Sequence, residues 1–442
     1  MKTVRGYKTE LDLNDRQRTA CAKHAGAARY AYNWGLRRKI DAYEATGKSP
    51  TAIDLHRELN ALKKTELGWM YEVSKCAPQE ALRNLDRAFA NFFRRVEQRK
   101  QGKLKGPVGF PRFKSRKAGL GSFRLTGSIH VFENSIQLPR LGRLRLKEHG
   151  YLPASGVKIL SATVSERAGR WFVSIQVEEE IPDPSPALGE SMGVDLGVSK
   201  LATRSDGISY ENPRALDRAQ KKLRRLQRKL ARQQKSSRNR EKTRRQIARL
   251  HYRIASIRRD TLHKATSGIV AKTKPDTERP QAVVLEHLNV SGMLQNHSLA
   301  RVIADVGMYE FGRQMQYKAA WSGSEVIQAD RWYPSSKRCS GCGEVKGELD
   351  LSERVYECDC CGLVIDRDLN AARNLAQLAP TASSAERVPS KSRDNACGED
   401  VRPASCGQTS TKQEPNRSLA LPRFASVSEN GSEPFDRDSQ VC

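Results

Sequence analysis

Apolar positions along this chain follow two periods, and the change from one to the other divides it. From Lys2 to Asp12 they alternate loosely with polar residues, as in a strand, and Asn14-Asp15 is a plausible helix start. Helical spacing then runs to about Arg99. Its clearest stretch is Leu82, Leu85, Phe89, Phe92 and Val96, which form one apolar face, with Pro78 in the first turn where its missing N–H costs nothing. Arg83, Arg87, Arg94 and Arg95 occupy the other face. After the Gly/Lys-rich residues 101–106 the period becomes two. Segments 122–125, 129–138, 141–146, and the pair 158–165 and 171–177 around Ala168-Gly169 read as antiparallel strands, most simply a small barrel with the helices inserted after its first strand. Ile181-Pro-Asp-Pro-Ser-Pro186 reads as a linker.

The next region alternates strands and helices. Residues 192–198 and 282–285 are apolar runs suited to a buried sheet, 300–321 is helical and 325–328 is another strand. Between the first two runs lies a helical hairpin with seams Leu216, Leu223, Leu226, Leu230 and Ile247, Leu250, Ile254, Ile257, turning at Ser236-Ser237. From Thr381 onward Ser, Pro, Gly, Asn and Gln dominate, and the segment reads as a disordered tail.

Charge adds a partner to this outline. The 442 residues suggest about three domains. Against 50 Asp+Glu stand 78 Lys+Arg, a net +28 that does not suit an ordinary metabolic enzyme and attracts a polyanion. The tail, with eight basic and nine acidic residues, carries none of this surplus. Residues 214–264 hold twenty Lys/Arg and three Asp/Glu. A charge run is usually a solvated face, but like charges one turn apart repel, so this hairpin asks for phosphates, with Arg224, Arg225, Arg228, Arg244 and Arg245 as candidate contacts. No apolar run nears the roughly 18 to 20 residues of a membrane span, so no membrane partner is expected. Ten cysteines without a secretory segment favour a reducing, cytoplasmic setting and metal ligation over disulfides.

Cys339-Ser-Gly-Cys342-Gly343 and Cys358-Asp-Cys-Cys361-Gly362 are two Cys-x-x-Cys-Gly knuckles. Their four thiolates suit one tetrahedral zinc. Cys360 is left out, because Cys358 and Cys361 reproduce the first knuckle's spacing and glycine. Four sulfur ligands describe a closed, structural site, so any catalysis lies elsewhere.

Three carboxylates stand in unusual places. Asp195 lies inside Gly193-Val-Asp-Leu-Gly197, Glu286 ends the run Val283-Val-Leu-Glu286, and Asp368 stands in Asp366-Arg-Asp368-Leu-Asn-Ala-Ala372. Each has a plain structural reading: a turn, an edge strand or a helix cap. Together they suit hard cations, because a carboxylate in an apolar strand is costly unless paired or bound to a metal. Three on one sheet could hold two magnesium or manganese ions about 4 Å apart, arranged for phosphodiester hydrolysis.

These motifs, with Arg331-Trp-Tyr-Pro-Ser-Ser-Lys337 leading into the cysteines, resemble the RuvC nuclease and zinc-ribbon signature of the TnpB family, RNA-guided DNA endonucleases similar to compact type V CRISPR effectors. The likeness extends upstream through Ala28-Arg-Tyr-Ala-Tyr-Asn33, Gln79-Glu-Ala-Leu-Arg-Asn-Leu85, Asn91-Phe-Phe93 and Gly109-Phe-Pro-Arg-Phe113. It implies a multidomain α+β fold: an RNase H-like (RuvC) α/β nuclease domain with an inserted zinc ribbon, preceded by a wedge-type β-barrel carrying an inserted helical recognition domain. The expected bounds are 1–11 and 105–185 for the barrel, 12–104 for the recognition domain, 190–330 and 362–380 for the nuclease, 331–361 for the ribbon and 381–442 for the tail.

The resemblance further implies that Asp195, Glu286 and Asp368 are the catalytic metal ligands, and that the chain works as a monomeric ribonucleoprotein. Its partners would be a guide RNA from the 3′ end of its own transposable element and a double-stranded target DNA beside a short target-adjacent motif. Base pairing would read the sequence while protein reads the motif and backbone. Lys75 and Gln79 are candidates for that motif, against ordinary surface polarity. Two other readings stand: a type V CRISPR effector with an array-derived guide, and a non-catalytic zinc-ribbon DNA-binding protein.

Overall fold

The computed structural model describes residues 2–104, 106–116, 119–271, 273–350 and 352–380, and the tail expected at 381–442 lies outside them. The described residues belong to one compact unit. Its opening strand, β1 (Lys2–Asp12), leads into α1 (Asp15–Thr46), α2 (Ala52–Lys63), a 3-10 turn (Gly68–Glu72) and α3 (Cys76–Lys100). Asn14 with Gln17, and Thr51 with Asp54, close capping boxes that satisfy the first N–H groups of α1 and α2. Leu82 and Leu85 are fully buried, while Phe89, Phe92 and Val96, further along α3, are half-buried.

The period-two region gives β2 (Ser122–Leu125), β3 (His130–Phe132), β4 (Ser135–Leu138), β5 (Gly142–Leu146), β6 (Lys158–Arg167) and β7 (Arg170–Glu180). Residues 129–138, expected as one strand, are a hairpin turning at the polar pair Glu133-Asn134, with Phe132 opposite Ser135. Ala168 and Gly169 take positive φ of 56° and 80° and close the β6–β7 hairpin as expected. Strand β1 pairs with β7 from Lys2↔Glu180 to Leu11↔Trp171, so the helices are an insertion after the first strand. The sheet order is β2-β6-β7-β1-β5-β4-β3. Side chains from both ends, Phe123 of β2 and Val131 of β3, join a single core with α1 to α3. The sheet therefore curls, with β2 and β3 left as its edges.

A second core surrounds a five-stranded sheet, β10-β9-β8-β11-β12. In chain order the elements are β8 (Met192–Asp195), β9 (Lys200–Arg204), β10 (Ser209–Glu211), α4 (Ala215–Arg232), α5 (Arg238–Val270), β11 (Ala282–Leu285), α6 (Val290–Met293), α7 (Ala300–Val306), α8 (Met308–Ser322) and β12 (Glu325–Gln328). Strands β8, β11 and β12 run parallel, and β9 and β10 return antiparallel. The run 192–198 stops as a strand at Asp195, because the chain turns at Gly197 into β9, whose existence the apolar pattern did not announce. The helix expected over 300–321 breaks at Gly307, whose φ of 79° ends α7 before α8 begins.

Helices α4 and α5 form the basic hairpin, with Leu223, Leu226 and Ile254 buried between them. Ile257 is 38% exposed and so does not belong to the seam. Asp305, at the end of α7, accepts the Leu216 N–H at 2.9 Å and the Arg258 guanidinium at 2.5 Å, which ties both hairpin helices to the second core. Two further elements, β13 (Val355–Glu357) and β14 (Val364–Asp366), pair antiparallel and run directly into α9 (Arg367–Ala376). No described helix is long and apolar enough to cross a membrane.

Candidate functional site

The carboxylate site begins with a missing side chain. A Cβ on Gly193 would lie 1.9 Å from the Ala372 carbonyl oxygen and 2.5 Å from the Ala376 nitrogen. Only glycine lets α9 lie directly across β8, and that contact brings Asp368, in the first turn of α9, toward Asp195 at the end of β8. Strand β11 runs parallel beside β8, so Glu286, the residue after its end, emerges at the same edge. Asp195 is 9% exposed. Burial first, then the like charges of Glu286 and Asp368, push its carboxyl well above the usual carboxylate range, with Arg367 opposing.

Asp366 has a different task. It caps α9 by accepting the Leu369 N–H at 3.0 Å and meets Lys200 at 3.2 Å. Burial works against its charge, but these two partners hold its carboxyl below the ordinary range. The cap of α9 is therefore Asp366, which leaves Asp368 free of the capping role the sequence allowed it.

Residues that the sequence did not single out support this edge. Ser335 donates its hydroxyl to Glu286 Oε1 at 2.5 Å. Its loop is fastened to α9 by two fully buried asparagines: Asn374 Nδ2 donates to the Ser335 and Arg338 carbonyls at 2.8 and 2.6 Å, while Asn370 donates to Arg338 O at 2.7 Å and accepts the Ser340 N–H at 2.9 Å. Tyr333 OH adds a bond to Asn374 O at 3.2 Å. Asparagine is a poor interior helix residue, so two of them at i,i+4 in an otherwise apolar face were a legible sign of buried backbone partners.

The loop continues into the knuckles. Cys339, Cys342, Cys358 and Cys361 place their sulfurs within 4.8 Å of one another, the one such group of metal-ligating side chains among the described residues. Sγ separations of 3.6 Å for Cys339–Cys361 and 3.5 Å for Cys342–Cys358 suit a tetrahedron with bonds of about 2.3 Å. Gly343 and Gly362, at φ 83° and 71°, return their N–H groups to the Cys339 and Cys358 carbonyls, both at 3.0 Å. Burial opposes ionisation of Cys339, yet the N–H groups of Cys342 and Gly341 and the neighbouring thiols bring its thiol down to about 6. The cluster thus fits a zinc ion, and Cys360 stays outside it, exposed. Tyr356, fully buried, packs against Cys339 and Cys358 and donates to Lys337 O at 3.1 Å.

The remaining candidates lie apart from this centre. Arg224, Arg225, Arg228, Arg244 and Arg245 are all exposed on the hairpin, but Glu241 pairs with Arg244 at 2.8 Å and Arg245 at 3.2 Å. Lys75 is exposed at the N-cap of α3, with Gln79 half-buried one turn later.

A protein of Streptomyces pristinaespiralis named "Putative RNA-guided DNA endonuclease" is 37% identical over 429 residues, spanning 95% of this chain and 98% of the relative. The chain belongs to the TnpB family. Escherichia coli InsQ, which carries the same designation, is 35% identical across 85% of this chain and 92% of its own. The CRISPR-associated endodeoxyribonuclease Cas12f1 of Sulfoacidibacillus thermotolerans is 27% identical over about half of each chain, 48% and 51%. Family profiles described as "Probable transposase", "Cas12f1-like, TNB domain" and "Helix-turn-helix domain" match residues 174–297, 309–375 and 1–48. In this TnpB-family chain the last of these spans covers β1 and the single continuous helix α1. Among solved structures, the mini-RNA-guided endonuclease CRISPR-Cas_phi3 aligns over 85% of this chain and 92% of its own at 9% identity and a TM-score of 0.44, too loose an overlap to bear on the site.

Proposed function

We propose that this chain is an RNA-guided DNA endonuclease with an RNase H-like, RuvC-type centre at Asp195, Glu286 and Asp368. The observation that carries this reading is the buried Asp195 facing two further carboxylates: three acids at one sheet edge repel one another unless a proton or a cation intervenes. Oxygen donors of this kind fit magnesium or manganese, and a pair of such ions supplies an activated water and stabilises the leaving 3′ oxygen of a phosphodiester. Asp195 is held rigid by β8, Glu286 is oriented by the Ser335 hydroxyl, and Asp368 is positioned by the close seat of α9 on Gly193. The four cysteines hold a structural zinc that shapes the loop behind Glu286.

The basic hairpin grips nucleic-acid phosphates, and pairing with an RNA from the element's own 3′ end selects the target. Lys75 and Gln79 contact the target-adjacent motif, and the curled first sheet serves as the wedge domain. The test is to purify the chain with and without RNA from its 3′ flank and offer plasmids with and without a guide-matched site, in magnesium or in chelator. Guided double-strand cleavage that needs both RNA and magnesium is expected. Specific cleavage by the RNA-free protein at moderate salt would overturn the RNA-guided reading in favour of an autonomous endonuclease.

A further inference from the structure

Two glycines interrupt the long helix α1, and only one of them has a packing reason. A Cβ on Gly35 would lie 2.6 Å from Leu82 Cδ2 and 3.1 Å from Leu85 Cδ2, so its absence lets α3 close onto α1. A Cβ on Gly26 would meet nothing within 4 Å. Glycine is the poorest helix former after proline, and no contact among the described residues accounts for its use at Gly26.

The open space beside Gly26 is a cavity of about 910 Å³ between α1 and the 3-10 turn Gly68–Glu72. Along α1 its wall carries Arg29, Tyr30, Trp34 and Arg37 at helical spacing, and Trp69 faces them from the turn. Tyr30 and Trp69 remain 40% and 44% exposed although they are locked edge-to-face, 5.6 Å apart at 88°. Asn33, on the same wall, exchanges hydrogen bonds with the Lys114 backbone in both directions, at 2.9 and 2.7 Å. Glu72, the carboxylate at the rim, is matched by Lys23 at 2.5 Å, so the two guanidinium groups set the local sign. Arg37 lies over the Phe113 ring at 5.3 Å, and Arg29 reaches the Leu120 carbonyl at 3.5 Å. Each of these contacts leaves most of a guanidinium's five donors available.

We propose that this cavity takes one unstacked nucleotide, its base over Gly26 against the Tyr30–Trp69 pair and its phosphate on Arg29 and Arg37. Aromatic faces stack any base, and a guanidinium fork fits a phosphate. The missing side chain at Gly26 provides the floor on which the base lies. The nucleotide belongs either to the guide RNA or to a displaced strand of the target, and in that respect the proposal rests on the RNA-guided reading.

The experiment reconstitutes the full chain with its RNA and a matched target, with 5-iodouridine placed stepwise along the RNA or 5-iododeoxyuridine along each DNA strand. Crosslinked peptides are mapped after irradiation. Adducts on Tyr30 or Trp69 are expected from one polymer, which identifies the source. Gly26→Leu, which fills the floor with a good helix former, should reduce those adducts at least tenfold while the melting temperature holds or rises. Tyr30→Ala and Trp69→Ala should weaken binding of that polymer by roughly 5- to 150-fold, and Tyr30→Phe should restore it. Adducts that persist in Gly26→Leu, or their absence from this wall in every arm while other sites crosslink, would overturn the proposal. Wild-type cleavage is read alongside. Guided cleavage without adducts here sinks only the pocket, whereas adducts without guided cleavage sink the endonuclease reading.

Discussion

One methyl group on Gly193 should separate the carboxylates without removing any of them. The Cβ of Gly193→Ala would lie 1.9 Å from the Ala372 carbonyl oxygen, and moving that pair out to ordinary contact near 3.4 Å requires α9 to lift from β8 by roughly 1.5 Å. Backbone stands on both sides of the clash, so no side chain can swing aside to absorb it. Overpacking of this kind costs about 1–3 kcal/mol of stability. Misplacement of a reacting group by about 1 Å can cost on the order of 100-fold in rate. Single-turnover cleavage of a guide-matched plasmid should therefore fall about 100-fold, with zinc content and RNA affinity unchanged and melting only modestly lowered. Cleavage within about threefold of wild type would show that α9 does not set the geometry of Asp368.

Asp195 carries a pH signature. Because its folded carboxyl titrates above its unfolded value, it favours the fold while protonated, at low pH, and that contribution is lost as pH rises from about 4 through its raised value. In scanning calorimetry magnesium should then raise the melting temperature more at pH 8 than at pH 5, and Asp195→Asn should stabilise the metal-free protein at pH 8 while abolishing cleavage. Cys339→Ser, Cys342→Ser, Cys358→Ser and Cys361→Ser should each lose zinc by elemental analysis, with Cys360→Ser close to wild type. Asp366→Ala should lower stability by about 0.5–2 kcal/mol through loss of the α9 cap, yet retain more cleavage than Asp368→Ala, which should have none. Arg224→Ala, Arg225→Ala and Arg228→Ala should each flatten the salt dependence of RNA or DNA binding by about one unit, and Arg244→Ala and Arg245→Ala by less, because Glu241 already partners them.

The cysteine set was legible because knuckle chemistry is local: spacing and glycine within five residues decide it, and Cys360 fell outside both in sequence and in space. The approach of Asp195, Glu286 and Asp368 was suggested by their neighbours, since a carboxylate ending an apolar run has few inexpensive explanations. Ser335 was not legible, and the two asparagines announced buried backbone partners without saying which, because that depends on which loop α9 lies beneath, a long-range fact. Apolar periodicity placed most elements but missed breaks that single residues impose. Gly307 splits a continuous helical pattern, and Glu133-Asn134 folds back what reads as one strand. Ile257 kept its seam spacing and still faces solvent, because the period does not say how far along two helices remain in contact.

The asparagine clasp between α9 and the 335–340 loop also bears on any attempt to shrink this protein. A cysteine-knuckle insertion in such a chain invites treatment as a detachable cassette, to be trimmed or exchanged for a shorter turn. Here the same few hydrogen bonds that close the entrance to the knuckles also aim a serine at Glu286. A shortened chain that kept every carboxylate but replaced this loop would leave Asn370 and Asn374 buried with no carbonyl to hold. By the same coupling, with the four cysteines holding zinc and Glu286 acting in cleavage as proposed, withholding zinc from the intact chain should slow cutting.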